Sequence, residues 1–590
     1  MNQKLQKIRE SIQKSGVEAY IIFNTDPHGS EYVPEDYLVI KELCGFTGDN
    51  AIVIITQNFA GLWTDSRYFI SGEIELKNSE FELMKKTSES ESSFVSWLKN
   101  NIKKGSVIAF DGKCTMSSIF LDLKRKLSQA EIIVNDKLDL TYTFWTNRPQ
   151  PKITPMFILD KKFVGEESKE KIEKISTKII EENSDALLIG DLFEIAWLLN
   201  LRASDIDYCP VFRAFMIVFK DKKSMLFISK QRINTKISDY LSKLNVTICE
   251  YTQITSTLEH LPAKLSILVD TASINAHLYS SINRHCKIIE RKSPIQILKA
   301  QKNNTELLNI RKTMIEDGIA MEKFFYWFEN QIENNKKITE LDTCQKLLEY
   351  RKKSPNFISE SFQCISAFNQ HAAMPHYAPT EKDNITIEKD GVFLIDSGGQ
   401  YYTGTTDLTR VIPTGKIDEE FAIDYTLVLK ANINIALAKF PQGTIGTKID
   451  AIGRIHLWKY GKDFGHGTGH GIGFCLNVHE GPMAITPSIN KVAFVPGMVM
   501  SNEPGIYIEN KYGIRIENLI TVINSKYPEF YEFETLTLCH IDTRPIKTEL
   551  LNQEEKDYIN NYNEKVYKIL SEYLTDNEKQ YLKKQTQKIN

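Results

Sequence analysis

The chain has 590 residues, which is more than one hydrophobic core can serve, so its length predicts several domains. Hydrophobic residues make up 42% of the sequence, enough to fill those cores and unlike the composition of a disordered protein. The formal net charge is -3 with 25% charged residues, so the chain lacks a global positive field that would attract nucleic acid or an anionic membrane.

The ends of the chain and its cysteines carry no sign of export or membrane anchoring. The N-terminal MNQKLQKIRESIQKSG predicts a charged helix and lacks the apolar core and small-residue cleavage site of a signal peptide. No apolar run approaches the roughly 20 residues that cross a bilayer, and the C-terminal KKQTQKIN is polar without a lipidation motif. Nine scattered cysteines without CxxC spacing predict reduced thiols. We therefore expect a cytoplasmic protein that binds neither nucleic acid nor membrane.

The predicted elements of residues 1–152 form a first α/β domain. The N-terminal helix leads into the apolar strand AYIIF at 19–23, and AIVII and GLWTDSRYF follow as further strand-containing segments. The module ends in NRPQPKITP, whose prolines and polar residues predict a linker.

Residues 153–298 repeat this plan as a second α/β domain. A helix precedes the strand ALLIG at 186–190, and EIAWLLNLR is helical in pattern. The segments FRAFMIVF and KSMLFIS then predict a pair of neighbouring strands. The recurrence predicts a duplicated domain rather than a repeat array, because its period is too long for a solenoid.

The third module, residues 299–590, opens and closes with helices. Both are predicted from apolar residues that recur every three or four positions. In the opening helix these residues are Leu307, Ile310, Met314, Met321, Phe325 and Phe328. In the C-terminal extension, from about residue 546, they are Ile559, Tyr562, Val566, Ile569 and Tyr573. The C-terminal helix is expected to pack on its own module or on a second subunit, and the first alternative is favoured.

Five residues of metal-ligand type follow one another in the last third of the chain, each in a distinctive context. They are Asp396 in IDSGG, Asp407 in TTDLTR, His470 in HGTGHGIG, Glu503 in NEPGIY and Glu517 in RIEN. Each has an ordinary explanation alone, since an Asp before Gly-Gly is usually a turn residue. The ordered set, with the aspartates 11 residues apart and the glutamates 14 apart, makes coincidence implausible.

The local patterns explain how these distant residues converge. The run GVFLIDSGG predicts a strand that delivers Asp396 at its end, and TTDLTRVIP predicts a returning strand that carries Asp407. We therefore expect a hairpin with both carboxylates on one face. In GIRIENLITVI, alternation places Arg515 and Glu517 on one side of a single strand. The glycines of HGTGH argue against a helix, so only His470 of its two histidines is expected to bind metal.

Four carboxylates and one imidazole suit a pair of hard divalent cations. Two neighbouring cations repel each other, so their site must supply several negative charges and carboxylates that bridge the ions. An oxygen-rich donor set favours Mn²⁺, although Zn²⁺, Co²⁺ and Fe²⁺ also accept these ligands. The sequence therefore predicts two divalent metal ions, with Mn²⁺ as the first choice.

With these contexts, the chain resembles aminopeptidase P, the X-Pro aminopeptidases of peptidase family M24, in their long, three-domain cytosolic form. Further matching segments are GFTGDNAIVI and LWTDSRYF near the N-terminus, MPHYAP at 374–379 and LNVHEGP at 476–482. The resemblance implies an α/β protein with two creatinase-like N-terminal domains, followed by a catalytic domain of the pita-bread fold. The segment FNQHAA at 368–373 departs from the more glycine-rich stretch of the family.

The resemblance also implies individual roles. Asp396 would hold one ion, Asp407 and Glu517 would bridge, and His470 and Glu503 would complete the other. Glu503 would also accept a proton, because a carboxylate that binds metal lies within reach of the attacking water.

Six of the 11 histidines lie between residues 371 and 479. The resemblance places His376 and His479 beside the substrate, where they would contact the oxyanion or the leaving nitrogen, and His466 nearby. Structural roles are favoured for His371, His456 and His540. Arg67 matches an arginine that reaches the bound peptide, and an ion pair with Asp65 is the equal alternative.

Three functions remain open. The first is an aminopeptidase that removes the N-terminal residue from peptides with proline second, by attack of a water or hydroxide that bridges the two ions. The second is a prolidase, which cleaves Xaa-Pro dipeptides with the same ligands but generally lacks the second N-terminal module. The third is a non-catalytic pita-bread protein, against which the complete ligand set argues. The resemblance implies a homodimer formed through the catalytic domain, with Trp458 as one hypothetical contact.

Overall fold

The computed structural model describes residues 3–86 and 93–590 of the chain. The chain divides into two units, of which the first comprises Met1–Asp160 and Glu166–Gln296. The second comprises Lys161–Gly165 and Ile297–Asn590. Within the described ranges, no helix combines the length and the apolar composition that a membrane crossing requires.

The first sheet of the first unit lies between two apolar clusters. Its described strands, in spatial order, are Glu82–Lys85, Ala60–Thr64, Ala51–Ile55, Ala19–Phe23, Val107–Ala109 and Ile133–Asn135. In the predicted strand Ala19–Phe23, Tyr20 and Ile22 belong to one cluster. Ile21 and Phe23 belong to the other. Both faces are covered, which explains why this strand is apolar without alternation.

The second sheet has the same topology. Its strands, in spatial order, are Val246–Glu250, Ser224–Ile228, Ala214–Phe219, Ala186–Ile189, Ser266–Val269 and Lys287–Glu290. Numbered along the chain, the described strands of both sheets follow the order 4-3-2-1-5-6. The strands predicted from FRAFMIVF and KSMLFIS are antiparallel neighbours. The short strands Phe157–Ile158 and Leu201–Arg202 pair separately. The predicted duplication is thus visible in the strand order.

Helices connect the strands of both sheets. The α-helices described in the first unit are Gln3–Lys14, Val39–Cys44, Phe69–Glu75, Ser93–Asn101, Ser117–Ser128, Ser168–Glu181, Leu192–Leu199, Thr235–Lys243, Gln253–Glu259 and Ala276–Ser281. Helix Pro294–Ala300 spans the division between the units.

The second unit opens on a long helix, as predicted. Helix Asn304–Glu333 begins at Asn303, whose side chain accepts from the amides of Thr305 and Glu306. The predicted stripe is buried from Ile310 to Phe328, while Leu307 is only partly buried. The other α-helices described in this unit are Lys161–Val164, Glu340–Arg351, Glu419–Ala436, Gly446–Trp458, Gln553–Leu570 and Asp576–Gln585.

The strands of the second unit form several small sheets and one larger sheet. The small sheets contain Phe357–Glu360 with Gly399–Tyr401 and Gly404–Thr405, Ile365–Phe368 with Val392–Ser397 and Leu408–Pro413, and Gly505–Ile508 with Tyr512–Arg515. The larger sheet contains, in order, Lys439–Pro441, Phe530–Thr535, Asn518–Asn524, Val499–Asn502, Gly469–Gly471 and Glu480–Ile485.

The single strand expected in GIRIENLITVI is two strands. Tyr512–Arg515 pairs with Gly505–Ile508, whereas Asn518–Asn524 pairs within the larger sheet. The break falls at Ile516 and Glu517, because the Glu517 amide donates to the carbonyl of Thr409 at 3.2 Å instead of continuing the ladder. Both sides of this segment are buried, so its alternation separates an apolar from a polar environment rather than core from solvent.

The C-terminal helix packs on its own unit, as favoured from the sequence. The Tyr562 hydroxyl donates to the carbonyl of Cys539 at 2.9 Å, and the side-chain amide of Asn563 donates to the carbonyl of Ile541 at 3.1 Å. Of the predicted stripe, Ile559, Tyr562 and Val566 are buried and Ile569 is partly buried. The helix ends at Leu570, and Tyr573 beyond it is 53% exposed, so its assignment to the stripe was wrong.

Candidate metal centre

The two aspartates lie beside each other on the expected pair of strands. Val392–Ser397 pairs antiparallel with Leu408–Pro413, with Asp396 opposite Thr409, and Asp407 directly precedes the second strand. The connection is a further small pairing rather than a simple turn. Gly398 is required there, because a Cβ at this position would lie 1.9 Å from the carbonyl oxygen of Thr406.

The two glutamates are held at the ends of neighbouring strands. Asn502 and Asn518 are paired residues of the larger sheet, which brings Glu503 and Glu517 together at its end. The Glu503 amide donates to the carbonyl of Thr468 at 2.9 Å. Thr409 donates its hydroxyl hydrogen to Glu517 Oε2 at 2.8 Å, which joins this glutamate to the strand of the aspartates.

His470 reaches the same point from a third strand. It lies on Gly469–Gly471, and its amide donates to Ser501 Oγ at 3.0 Å. The ring Nδ1 lies 3.0 Å from the carbonyl oxygen of Gly471. Because a carbonyl only accepts, Nδ1 carries a hydrogen and Nε2 is the nitrogen that faces the carboxylates.

The five predicted ligands therefore converge. His470 Nε2 lies 3.5 Å from Asp407 Oδ2 and 3.3 Å from Glu503 Oε1. Donor atoms of Asp407, His470 and Glu517 all lie within 4.8 Å of one another. The charge of Asp396 raises the pKa of both Asp407 and Glu517, in addition to the larger effect of burial.

The charges of this cluster are unbalanced within the chain. Burial first, and the neighbouring carboxylates next, raise the pKa of Asp407 and of Glu517 well above their ordinary values. Asp396 Oδ1 is buried and has no hydrogen-bond partner in the described ranges. A carboxylate oxygen left in this way, among other carboxylates, is what a divalent cation satisfies. The residues fit the two ions predicted from the sequence.

His470 and Glu503 form an ion pair. Burial opposes protonation of His470, but the hydrogen bond and charge of Glu503 outweigh it and raise its pKa to about 9. Burial would raise the pKa of Glu503, but the hydrogen bond and charge of His470 lower it to about 2. A metal ligand must be a neutral imidazole, so an ion held at Nε2 would require the loss of this proton.

A hydrogen-bonded chain beside the aspartates was not foreseen from the sequence. Arg515 donates to Asp396 Oδ2 at 2.6 Å and to the Tyr507 hydroxyl at 2.6 Å. His466 Nε2 lies 2.8 Å from that hydroxyl, and its Nδ1 lies 2.7 Å from the carbonyl oxygen of Gly467. Burial lowers the pKa of His466 to about 4, so the ring is neutral at pH 7 and Tyr507 donates to it.

The alternation of residues 514–517 did place Arg515 beside Glu517, and this was the available signal for the arginine. Tyr507 carries no periodic signal, because it reaches the site from another strand.

The two histidines expected beside the substrate border this cluster. The ring of His479 lies 4.4 Å from that of His470, centroid to centroid, at an angle of 89°. His376 is half-buried, and its neighbour Pro375 accepts a hydrogen bond from Arg515 at 3.3 Å. The backbone that carries His376 is therefore tied to the residue that binds Asp396.

The histidines for which structural roles were favoured lie in other settings. His371 Nδ1 is 3.0 Å from both oxygens of Glu340, and His540 Nδ1 is 2.8 Å from Glu322. His456 is half-buried on helix Gly446–Trp458. In the divergent segment FNQHAA, Asn369 adopts a φ of 49° and accepts from the amide of Val392 at 2.9 Å.

Arg67 belongs to the first unit, where it is paired with Asp65. Its Nε and Nη2 donate to the two carboxylate oxygens of Asp65 at 2.9 and 2.8 Å. The ion pair considered from the sequence is thus present, and a contact with peptide stays a prediction.

Family models match almost the whole chain. The model of metallopeptidase family M24 matches residues 309–524, and that of its C-terminal region matches 529–589. Two models of the creatinase/prolidase N-terminal domain match residues 4–138 and 147–306. The fold class expected from the sequence is confirmed.

Individual relatives cover similar lengths. Xaa-Pro aminopeptidase app-1 of Caenorhabditis elegans is 36% identical over 575 residues, covering 94% of this chain and 92% of the relative. Xaa-Pro aminopeptidase 1 of Dictyostelium discoideum is 33% identical, covering 95% of this chain and 92% of its own length.

Solved structures agree with this relationship. The X-prolyl aminopeptidase of Caenorhabditis elegans, a cytosolic enzyme with a di-nuclear active site, superposes with a TM-score of 0.94 at 33% identity, covering 100% of this chain and 99% of that one. The Xaa-Pro dipeptidase of Bacillus anthracis has a TM-score of 0.51 at 23% identity and covers 64% of this chain and 99% of its own, which shows a shared fold alone. The chain belongs to the Xaa-Pro aminopeptidases of metallopeptidase family M24.

Proposed function

We propose that this chain is a metal-dependent aminopeptidase that hydrolyses the N-terminal Xaa-Pro bond of peptides, using two divalent metal ions. The observation that carries the proposal is the convergence of Asp407, His470 and Glu517 beside the unpartnered oxygen of Asp396. Relatives named Xaa-Pro aminopeptidases, which align over nearly the whole chain, support the substrate class.

In this proposal Asp396 would hold one ion, His470 and Glu503 would hold the other, and Asp407 and Glu517 would be ligands shared by both. The distances from His470 Nε2 to Asp407 and Glu503 support the second half of the assignment. The unpartnered Oδ1 of Asp396 supports the first half. The donors are oxygens with one imidazole, a set that favours Mn²⁺ over metals that select thiolates, with Zn²⁺ or Co²⁺ as alternatives.

The chain's own groups divide the chemistry among them. When bound, the ions supply an acidified water for attack on the peptide carbonyl and polarise that carbonyl. Glu503 accepts the proton at its carboxylate, which Ser501 Oγ orients by a hydrogen bond of 3.0 Å to Oε1. His376 and His479 donate to the oxyanion or to the leaving proline nitrogen.

His466 acts differently from the other two catalytic histidines in this scheme. Both of its ring nitrogens are engaged, by Tyr507 and by the carbonyl of Gly467. Its contribution therefore passes through Tyr507 and Arg515 to Asp396, whose carboxylate it helps to orient.

Proline recognition explains why a dedicated enzyme is needed. The Xaa-Pro bond is a tertiary amide without an N–H, and the ring fixes φ, so ordinary proteases lose a hydrogen bond and an approach to the carbonyl. We assign Arg67 to peptide binding in addition to its pairing with Asp65.

Hydrolysis of matched peptides tests the function. An Xaa-Pro-Yaa tripeptide should lose its N-terminal residue, while the same peptide with alanine in place of proline, or with an acetylated N-terminus, should not react. Cleavage of an Xaa-Pro dipeptide but not of the tripeptide would instead identify a prolidase. No cleavage of any peptide by metal-loaded protein would favour a binding protein without activity.

We also propose that the chain has three domains, with boundaries at 152/153 and 298/299, and a helical extension from about residue 546. We further propose that it is cytosolic and forms a homodimer through its catalytic domain. The relative of known structure is a cytosolic enzyme. Ile455, Trp458 and Tyr460 are about half exposed at the end of helix Gly446–Trp458, and they supply an apolar surface for a second copy. Sedimentation of the full chain checks the dimer, and a monomer at micromolar concentration contradicts it.

A further inference from the structure

A buried carboxylate with two ammonium partners lies directly beside His479. Glu480 Oε2 is 2.5 Å from Lys299 Nζ, and Glu480 Oε1 is 2.5 Å from Lys302 Nζ. The three side chains are between 0% and 5% exposed. Three buried charges require a large desolvation free energy, so the cluster needs a reason beyond filling space.

The cluster is fully connected. Lys302 Nζ also donates to the carbonyls of Lys299 and Ala300, at 3.1 and 3.2 Å. With Glu480 as the third acceptor, all three ammonium hydrogens are used. These carbonyls end helix Pro294–Ala300, where a cation is favoured by the helix dipole. Both Glu480 oxygens are engaged by lysines, so this carboxylate is anchored away from metal binding.

The ion pairs of Glu480 hold the backbone segment that carries His479. Glu480 is the first residue of strand Glu480–Ile485 and pairs with Gly471, next to His470. The two strands approach so closely that a Cβ at Gly471 would lie 2.2 Å from the carbonyl oxygen of Glu480. On the N-terminal side of His479, the side-chain amide of Asn477 donates to the carbonyl of His479. His479 is thus fixed between two tethered points.

We propose that Glu480, held by Lys299 and Lys302, is a positioning residue that keeps the His479 ring against His470. The inference rests on the proposed role of His479 in substrate handling. In proteins, replacing a buried ion pair by well-packed apolar side chains of similar volume often costs no stability, so stability alone does not require these charges. Two ion pairs fix the direction as well as the distance of Glu480, and a displacement of about 1 Å at a reacting group can cost roughly 10²-fold in rate.

A coupling experiment separates this role from a general structural one. The variants are Glu480→Gln, His479→Ala and the double variant, assayed on an Xaa-Pro-Yaa peptide with metal content measured in parallel. Glu480→Gln should lower kcat by about 10-fold to 10²-fold with KM and metal content unchanged. In the His479→Ala background the same substitution should have no further effect, because Glu480 acts through the ring that is absent.

An equal loss of kcat in both backgrounds, or loss of metal from Glu480→Gln, would overturn the proposal. If His479→Ala itself keeps wild-type kcat, the proposed role of His479 fails, and the positioning role of Glu480 is overturned with it. If His479→Ala lowers kcat and Glu480→Gln lowers it equally in both backgrounds, the role of Glu480 alone is overturned.

Lys299→Met provides the test if Glu480→Gln does not fold. It removes one ammonium and leaves Glu480 paired one-to-one with Lys302. It should lower kcat in the wild-type background and not in His479→Ala, and wild-type kcat in Lys299→Met overturns the proposal. Lys491→Met, at an exposed lysine, is the matched control and should leave kcat unchanged.

Discussion

Among the described residues of the second unit, two groups of metal-ligand type, one fully and one largely buried, differ in how their charges are balanced. Asp407, His470 and Glu517 form one group, and Glu322, Cys539 and His540 form the other. In each, the donor atoms lie within 4.8 Å of one another. By proximity alone the two groups are equivalent.

The second group is satisfied by the chain itself. Glu322 accepts from the amide of His540 at 2.8 Å, and its other oxygen lies 2.8 Å from the His540 ring. Burial raises the pKa of the Cys539 thiol, which keeps it protonated and a poor ligand. One carboxylate faces one imidazole, so no further cation is needed.

The first group, together with its neighbours Asp396 and Glu503, has negative charge that is not balanced and one carboxylate oxygen without a partner among the described residues. Within the described ranges, its carboxylates and those of Asp396 and Glu503 have Arg515 and His470 as their cationic neighbours. Asp396 Oδ1 has no partner in the described part of the chain. The difference teaches that unbalanced charge, rather than closeness of donor atoms, distinguishes a metal centre from a structural ion pair.

Of the changes that test this comparison, metal removal should have the largest effect on peptidase activity. Exhaustive chelation is expected to abolish peptidase activity, and Mn²⁺ should restore it best, because an oxygen-rich site holds hard and labile cations. Rates on an Xaa-Pro-Yaa peptide and metal content are measured together. Full activity in protein verified to be free of metal would refute the mechanism.

Substitution of Asp407 and Glu517, the ligands proposed to be shared by both ions, should separate the two groups. Asp407→Asn and Glu517→Gln keep size and remove one charge, so both should lose metal and more than about 10²-fold in turnover, since even the loss of an outer partner of a ligand costs up to that factor. Cys539→Ser is the matched control from the second group. It should keep both metal content and turnover, and metal loss from Cys539→Ser would show that the second group binds an ion.

The sequence revealed the ligands better than their surroundings. Asp396, Asp407 and Glu517 were readable because each lies within a strand or directly before one, in a distinctive local context. The hydrogen-bonded series from Arg515 through Tyr507 to His466 was not, because it joins residues of two strands and a loop by hydroxyl, guanidinium and imidazole contacts. The break at Ile516 was also hidden, since it depends on a hydrogen bond to Thr409 from another sheet.

The duplication of the N-terminal domains was predictable from the sequence. Helix and strand patterns are local, and their recurrence is visible in one dimension. The lysine pair around Glu480 joins residues about 180 positions apart, which periodicity does not relate.

Three histidines in or beside the first group separate metal binding from substrate handling. His376→Ala and His479→Ala should keep both ions while turnover falls about 10²-fold or more, the scale of losing an oxyanion or proton-transfer partner. His470→Ala should lose an ion as well, because its Nε2 faces Asp407 and Glu503. Metal stoichiometry beside kcat distinguishes the variants. If His479→Ala sheds metal as readily as His470→Ala, a different imidazole binds the ions.

The smallest effect concerns stability and belongs to the second group. Burial lowers the pKa of His540, but the charge and hydrogen bond of Glu322, with Asp542 and Glu329 beyond it, outweigh burial and raise the pKa above its ordinary 6.5. A group whose pKa is raised on folding stabilises the fold fully below its unfolded pKa, and this contribution is lost as pH rises through the folded pKa.

We therefore compare the free energy of unfolding, from urea titration at pH 6 and pH 8.5, for wild type and the double variant Glu322→Gln/His540→Gln. The advantage of wild type should shrink between these pH values, while the variant lacks this dependence. His371 also has a raised pKa, through Glu340, but it is present in both proteins and cancels in the difference. Peptidase activity and metal content should be unchanged, because a charge-balanced pair outside the metal centre holds no ion. An advantage that is constant with pH would show that His540 stays neutral in the fold.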